Sequence, residues 1–283
     1  MEFFDHMAER MMETCAVAVR AVCALRFLFM SKEAKNEALC HAVMHGEGME
    51  AEASMLVRFG ADPMGRDHLG NTPLHWAVNG RQSGMIKWLV ENMKVDVNAG
   101  NQTGETPLHW AAKSGEGALA RHLVGTGAKA DAKDIFGEQP VHKAAAAGHV
   151  VMLQYLVEDC GCQADAQDDA GMQPLHYAAQ RGRSGVVMYL VQDRKCAVDA
   201  ASNRGTTPLA MASTAQHDEA YAEDPQADFA FTIPFLERAM PAPKLETTLD
   251  LGDAFGQVVA EVRQIQRRLG SLRRKNSGPV PTM

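Results

Sequence analysis

Most of the motifs by which a sequence declares a chemistry are missing from this 283-residue chain. It has no phosphate-binding glycine loop, no GxSxG nucleophile turn, no HExxH helix and no DHHC tetrapeptide. Each absence removes the residues the corresponding reaction needs, so neither catalysis nor a cofactor is expected. Six cysteines stand at 15, 23, 40, 160, 162 and 196 without a CxxC pair or zinc-ligand spacing. That is the pattern of reduced thiols in an intracellular protein, and it argues against a disulfide framework or metal site. A basic excess is lacking too. Against 35 Asp and Glu there are 28 Lys and Arg, and the formal charge of -7 argues against a body built to grip nucleic-acid phosphates. Nor is there a convincing membrane span. Cys15 to Met30, CAVAVRAVCALRFLFM, is interrupted by Arg20 and Arg26 and is shorter than the ~20 apolar residues a spanning helix requires. Glu2, Asp5, Glu9 and Glu13 precede it, where a secretory signal carries positive charge and a transit peptide avoids acids. A cytoplasmic location is expected.

What the chain does contain is enough apolar material for a sizeable core, 46% of residues against 22% charged, and one phrase written repeatedly. Residues 70–81 read GNTPLHWAVNGR and residues 104–115 read GETPLHWAAKSG. The heart of the phrase begins at Thr72, Thr106, Gln139, Gln173 and Thr207, at spacings of 34, 33, 34 and 34. A weaker copy lies upstream, where Leu39, Cys40 and Ala42 match Leu74, His75 and Ala77. Such a period marks a repeat array. These residues resemble the ankyrin repeat, whose signature is TPLHxA with a period near 33, over roughly residues 36–240. The resemblance implies an all-α fold, an α-solenoid of about six helix-turn-helix-loop units with the first and last degenerate.

Local chemistry predicts the same unit without the family name. In the copy from Gly104 to Asp134, Thr106 is a good N-cap and Pro107 suits the first helical position, where a missing N–H costs nothing. Leu108, Ala111 and Ala112 form one small apolar face, and Ser114-Gly115 ends the helix. A second helix with Leu119, Leu123 and Val124 inward is stopped by Gly125 and Gly127, and an extended loop, AKADAKDIFG, returns to the next copy. No copy can bury its apolar face alone, so the copies must stack. The recurring His75, His109, His142 and His176 would then stand too far apart to share one zinc at ~2.0 Å. By resemblance they tie neighbouring repeats together through backbone hydrogen bonds. Trp76, Trp110 and Tyr177, each following a motif histidine, are expected to pack between helices, with Lys143 breaking the series. Cys160-Gly161-Cys162 falls in a slightly lengthened turn, and the sequon at Asn101-Gln102-Thr103 is expected to be idle.

Proteins resembling this one bind partners through loop tips and the concave face of the first helices. The corresponding tip residues are His68, Leu69 and Asn71; Gln102, Thr103 and Glu105; Ile135, Phe136 and Glu138; Asp169, Ala170 and Met172; and Asn203 and Arg204. Ile135-Phe136 puts two large apolar residues where the other tips are mostly polar. They are either an interface anchor or packing against a neighbouring tip.

Two flanking modules complete the reading. Residues 1–35 carry an amphipathic stripe suited to cap the first weak repeat. After the acidic insert Thr214 to Asp228, a cap or a lid, and a helical FTIPFLERAM, the linker Pro241-Ala242-Pro243 opens a segment over 241–283. There Leu251, Phe255, Val258, Val262, Ile265, Leu269 and Leu272 form a short heptad seam beside basic residues. Residues 249–275 are suited to dock on a partner helix, an acidic calmodulin-like groove or anionic lipid. The whole reads as a non-enzymatic protein-interaction scaffold or adaptor. The alternative is a permanent structural subunit of a larger assembly, with both terminal helices buried at interfaces.

Overall fold

A computed structural model describes residues 29–46, 49–218 and 224–240. The chain divides into two compact units, Met1–Met240 and Pro241–Met283. The seam from Leu251 to Leu272 and all but the end of the N-terminal stripe lie outside the described residues. Among the described residues there are twelve α-helices and no strand.

The helices alternate between an inner and an outer row. The inner ones are α1 (Lys32–His45), α3 (Pro73–Asn79), α5 (Pro107–Ser114), α7 (Pro140–Ala147), α9 (Pro174–Gln180) and α11 (Pro208–Ala215). Their outer partners are α2 (Glu50–Arg58), α4 (Ser83–Lys87), α6 (Gly117–Gly125), α8 (Val150–Gln154), α10 (Ser184–Met188) and α12 (Phe229–Ala239). Each inner helix packs on its outer partner and on the inner helix of the next unit, which makes a solenoid. Alanines permit the close approach of inner helices: Ala77, Ala111, Ala112, Ala144, Ala145, Ala178 and Ala179 are completely buried. Leu74, Leu108, Val141 and Leu175 from the inner row meet Leu89, Leu123, Leu156 and Leu190 from the outer row in one continuous core. Each buried leucine contributes about 1.5–3 kcal/mol.

The repeated phrase starts every inner helix from α3 onward, with proline at the first turn. In α3 the Thr72 N–H donates to His75 Nδ1 at 3.1 Å, and the threonine hydroxyl lies 2.9 Å from the same nitrogen. Nδ1 therefore carries no hydrogen, and His75 Nε2–H donates to the carbonyl of Glu105, one repeat away, at 2.9 Å. His109 reaches the Glu138 carbonyl, His142 that of Ala166 and His176 that of Thr206. One ring thus caps its own helix and clips the next unit. The last copy has Ala210 instead, where no further loop follows, and its Thr207 hydroxyl alone caps the helix by accepting the Ala210 N–H.

Spacings of 34 and 33 have a structural counterpart. Where the spacing is 34, the outer helix runs into a wide π-type turn: Trp88–Asn92 after α4, Tyr155–Asp159 after α8 and Tyr189–Asp193 after α10. There Val95, Cys162 and Cys196 donate their N–H to the carbonyl six residues back, on Leu89, Leu156 and Leu190. After α6, where the spacing is 33, Ala128 reaches only five residues back, to Leu123. The additional residue is absorbed in one wide turn and leaves the stacking undisturbed.

At the C-terminal end the stretch FTIPFLERAM is helical, as its sequence predicts, and lies in α12 with Asp228 capping Phe231 N at 3.0 Å. At the end of the insert, Asp224 Oδ2 accepts from Arg183 Nη2 at 2.6 Å, and the Asp228 N–H donates to the Gly182 carbonyl at 2.8 Å. Gly182 and Arg183 belong to the turn after α9, at the opposite end of that helix from its loop tip. The return of the insert is fastened there and α12 covers α11 and α10, the work of a cap.

Candidate partner-binding surface

Four of the five loop tips are held by an Asx side chain, and in the last Ser202 takes that place, its hydroxyl accepting from the Thr206 N–H at 3.2 Å. The Asp67 carboxylate accepts from the N–H groups of Leu69 and Asn71, Asn101 from Thr103 and Glu105, Asp134 from Phe136 and Glu138, and Asp168 from Ala170 and Met172. In all four the side chain takes N–H groups two and four residues on, the local bonding that favours Asp and Asn in tight turns. A glycine at positive φ closes each turn. At Gly137, φ is +75° and an added Cβ would sit 2.7 Å from the backbone nitrogen of Asp169, so both conformation and space require glycine.

The tips are joined. Gln102 N–H donates to Leu69 O, Ile135 to Thr103, Asp169 to Phe136 and Asn203 to Ala170, all at 2.9 to 3.0 Å. Five tips become one row whose backbone groups bond along the row; the side-chain amides of Gln102 and Asn203 add bonds to the His68 and Asp169 carbonyls, while Ile135 and Phe136 keep their side chains open. His68, Leu69, Gln102, Thr103, Ile135, Phe136, Asp169, Asn203 and Arg204 are exposed on it. Ile135 and Phe136 are 58% and 56% exposed, so neither is consumed by packing on a neighbouring tip. Glu105, Glu138 and Met172 are half-buried. Asn71 is only 2% exposed; it bonds Asp67 and receives the side-chain amide of Asn101, which makes it a brace within the row and not a contact residue. Asn101, the sequon residue, spends both ends of its amide on these bonds.

Behind the row runs a groove built from residues that sequence periodicity places differently. Trp76 and Trp110 do pack against the edge of the core between neighbouring inner helices, but with Tyr177 they are only half-buried, and all three turn their polar ends to acids of the tips. Trp76 Nε1 donates to Asp67 Oδ2 at 3.1 Å and Trp110 Nε1 to Glu105 Oε2 at 3.0 Å, while the two indoles meet edge to face at 6.0 Å. Tyr177 Oη lies 2.6 Å from Glu138 Oε1 and 2.7 Å from Asp168 Oδ2. The physical reason is that indole and phenol need a partner for their polar atoms when partly buried.

Lys143, which breaks the aromatic series, occupies the centre. Its ammonium lies 2.9 Å from Glu105 Oε1, 2.9 Å from Asp134 Oδ2 and 2.5 Å from Glu138 Oε2. Burial opposes its charge, but the hydrogen bonds it donates to the three carboxylates outweigh burial and raise its pKa. Glu105 is likewise disfavoured by burial and then held below its ordinary pKa by Lys143 and Trp110. The signal for this cluster lies in the sequence: an acid five residues before the residue that follows the motif histidine, as in Glu105 and Trp110 or Glu138 and Lys143, and another nine before it, as in Asp67 and Trp76 or Asp134 and Lys143.

The motif histidines and Cys162 are governed by burial. Burial pushes all four motif histidines down in pKa, His75 to about 4, which keeps them neutral clips. The Cys162 thiol is pushed up to about 12 by burial and is a packing group. Among the described residues no helix is long and apolar enough to cross a membrane. A family model described as ankyrin repeats, three copies, matches the chain in five overlapping windows: residues 15–101, 39–134, 83–168, 108–202 and 141–222.

Proposed function

The chain belongs to the ankyrin-repeat family, and from that premise we propose that it is a protein-binding scaffold that holds a partner against its tip row and groove. Ankyrin repeats commonly mediate protein–protein interaction, and the fold alone does not say with what. The observation that supports this site is the pair Ile135 and Phe136, more than half exposed on a row whose backbone is already bonded from tip to tip. A rigid platform loses little conformational entropy on binding, and a central apolar anchor supplies most of an interface's energy. In this reading the protein is an adaptor without catalysis of its own. Six cysteines without a pairing framework support a reducing setting such as the cytoplasm. Residues 249–275 would add a second contact, to a helix, a calmodulin-like groove or anionic lipid.

The test is affinity capture with mass spectrometry from the native cell, using full-length protein, the Ile135→Ser/Phe136→Ser double variant and a chain ending at residue 243. Loss of one stoichiometric partner with the double variant supports the adaptor. Retrieval of one large assembly by all three baits would instead make the chain a built-in structural subunit whose function does not lie at the tips.

A further inference from the structure

At the N-terminal end of the groove, α1, α3 and the first tip enclose a cleft of about 590 Å³, open mouth included. Cys40 and Met44 of α1 and the indole of Trp76 make its apolar walls, with His41 and His68 beside them, and Glu37 and Asp67 supply its charge. Glu37 is exposed, and its side chain makes no hydrogen bond or ion pair among the described residues. Burial works against ionisation of Asp67, but hydrogen bonds from Asn71, Leu69 and Trp76 outweigh it and hold its pKa below the ordinary value. Burial pushes the Cys40 thiol up to about 12, and the negative charges of Asp67 and Glu37 add to the effect. The cleft therefore has apolar walls, an electron-rich ring and two carboxylates with no cation paired to either among the described residues.

We propose that this cleft receives a lysine or arginine side chain from the partner protein bound in the groove. The proposal rests on the reading of the groove as a protein-binding surface and adds the charge class of what enters it. A long basic side chain satisfies all three features of the cleft. Its methylene stem lies along Met44 and Trp76, and its cationic head meets Glu37 and Asp67 at the mouth. A purely apolar occupant would strip water from the Glu37 carboxylate without pairing it, which costs free energy, and would leave Asp67, already hydrogen-bonded by Leu69, Asn71 and Trp76, without a cation; an acidic occupant would be repelled by both. The next cleft along, about 720 Å³ and lined by Asn79, Glu105, Trp110, Lys113 and Ser114, lacks this selectivity. There Glu105 is already paired with Lys143, and Lys113 brings a positive charge of its own. Selection for a cation belongs to the first cleft.

The experiment selects random nine-residue peptides displayed on phage against immobilised full-length chain, then titrates the enriched peptides by fluorescence polarisation. The baits are the native sequence, Glu37→Lys and the Ile135→Ser/Phe136→Ser double variant. Glu37→Lys reverses charge at an exposed position, and an unchanged melting curve confirms that it leaves the fold alone. Expected are peptides with Arg or Lys at one fixed position that bind the Glu37→Lys chain about tenfold more weakly and lose affinity as salt is raised. Enriched peptides without a basic residue, or binding to Glu37→Lys equal to native, would overturn the proposal. Peptides sensitive to the tip variant and indifferent to Glu37→Lys would leave the scaffold reading standing and remove only the cation cleft. Peptides indifferent to both would remove both.

Discussion

The central repeats lay down two parallel lines, a buried line of four histidines and an exposed line of tips, and they answer to different physics. His75, His109, His142 and His176 are fully buried, and each spends both ring nitrogens on backbone. A few residues upstream, the tips spend their backbone on one another and leave Leu69, Ile135 and Phe136 open. Side chains hold the first line and release the second. A scaffold of this kind separates stability from recognition: the line that repeats identically holds the stack, and the line that changes from copy to copy is available to a partner. The Lys143 cluster lies between them and belongs to both, since it draws tip acids into the groove.

That division can be broken from the middle outward. Lys143→Met should be the most damaging change, destabilising the chain by about 3 kcal/mol or more in denaturant unfolding, because Asp134, whose side chain is completely buried, and two half-buried glutamates lose their cation. A melting temperature equal to native would show that the acids are not a stabilising cluster. His109→Ala should cost about 2–3 kcal/mol by the same measurement, since it leaves the Thr106 N–H and the Glu138 carbonyl without their partner. An effect as small as that of a tip substitution would erase the distinction between the two lines.

Acid attacks the histidine line selectively. Burial holds the folded pKa of these histidines below the ordinary value of 6.5, to about 4 for His75. Between those values the unfolded chain binds more protons than the folded one, so stability is full above about 6.5 and falls as pH is lowered through the window. Unfolding at pH 7 and pH 5 checks this, and a steeper loss in native protein than in His109→Gln would assign part of it to the ring. Gly137→Ala should cost about 1–2 kcal/mol, from a left-handed φ and from contact with the next tip. Ile135→Ser/Phe136→Ser should shift stability least, within about 0.5 kcal/mol, while removing partner capture. A large fall in melting temperature would place both residues in the framework.

Much of the framework was legible residue by residue. Thr-Pro or Gln-Pro announces the inner-helix starts from α3 onward because capping is decided within four residues, and Thr72, Thr106, Gln139, Gln173 and Thr207 all stand at caps. The 33-residue spacing singles out the one turn of that series without the additional residue, the turn after α6. The tips were legible as positions but not as environments. Asn71 reads as a surface residue like its neighbours, and burial came from Asn101, thirty residues away. Trp76 and Trp110 read as core because they follow a buried histidine, yet the acids at Asp67 and Glu105 draw their indole nitrogens to the groove.

By itself, then, the sequence determined the repeat unit, its helix starts, its turn lengths and the family to which the chain belongs, because caps, turns and periodicity act over a few residues and recur often enough to be read. Only the tertiary structure decided which side chains are shared between repeats. Each histidine clip to the next unit, the bonds from tip to tip, the pairing of Lys143 with Glu105 and the acid-mouthed cleft beside Trp76 join residues of different copies, 24 to 39 positions apart. Such contacts form only when stacking brings separate copies together, and nothing within a single copy specifies them.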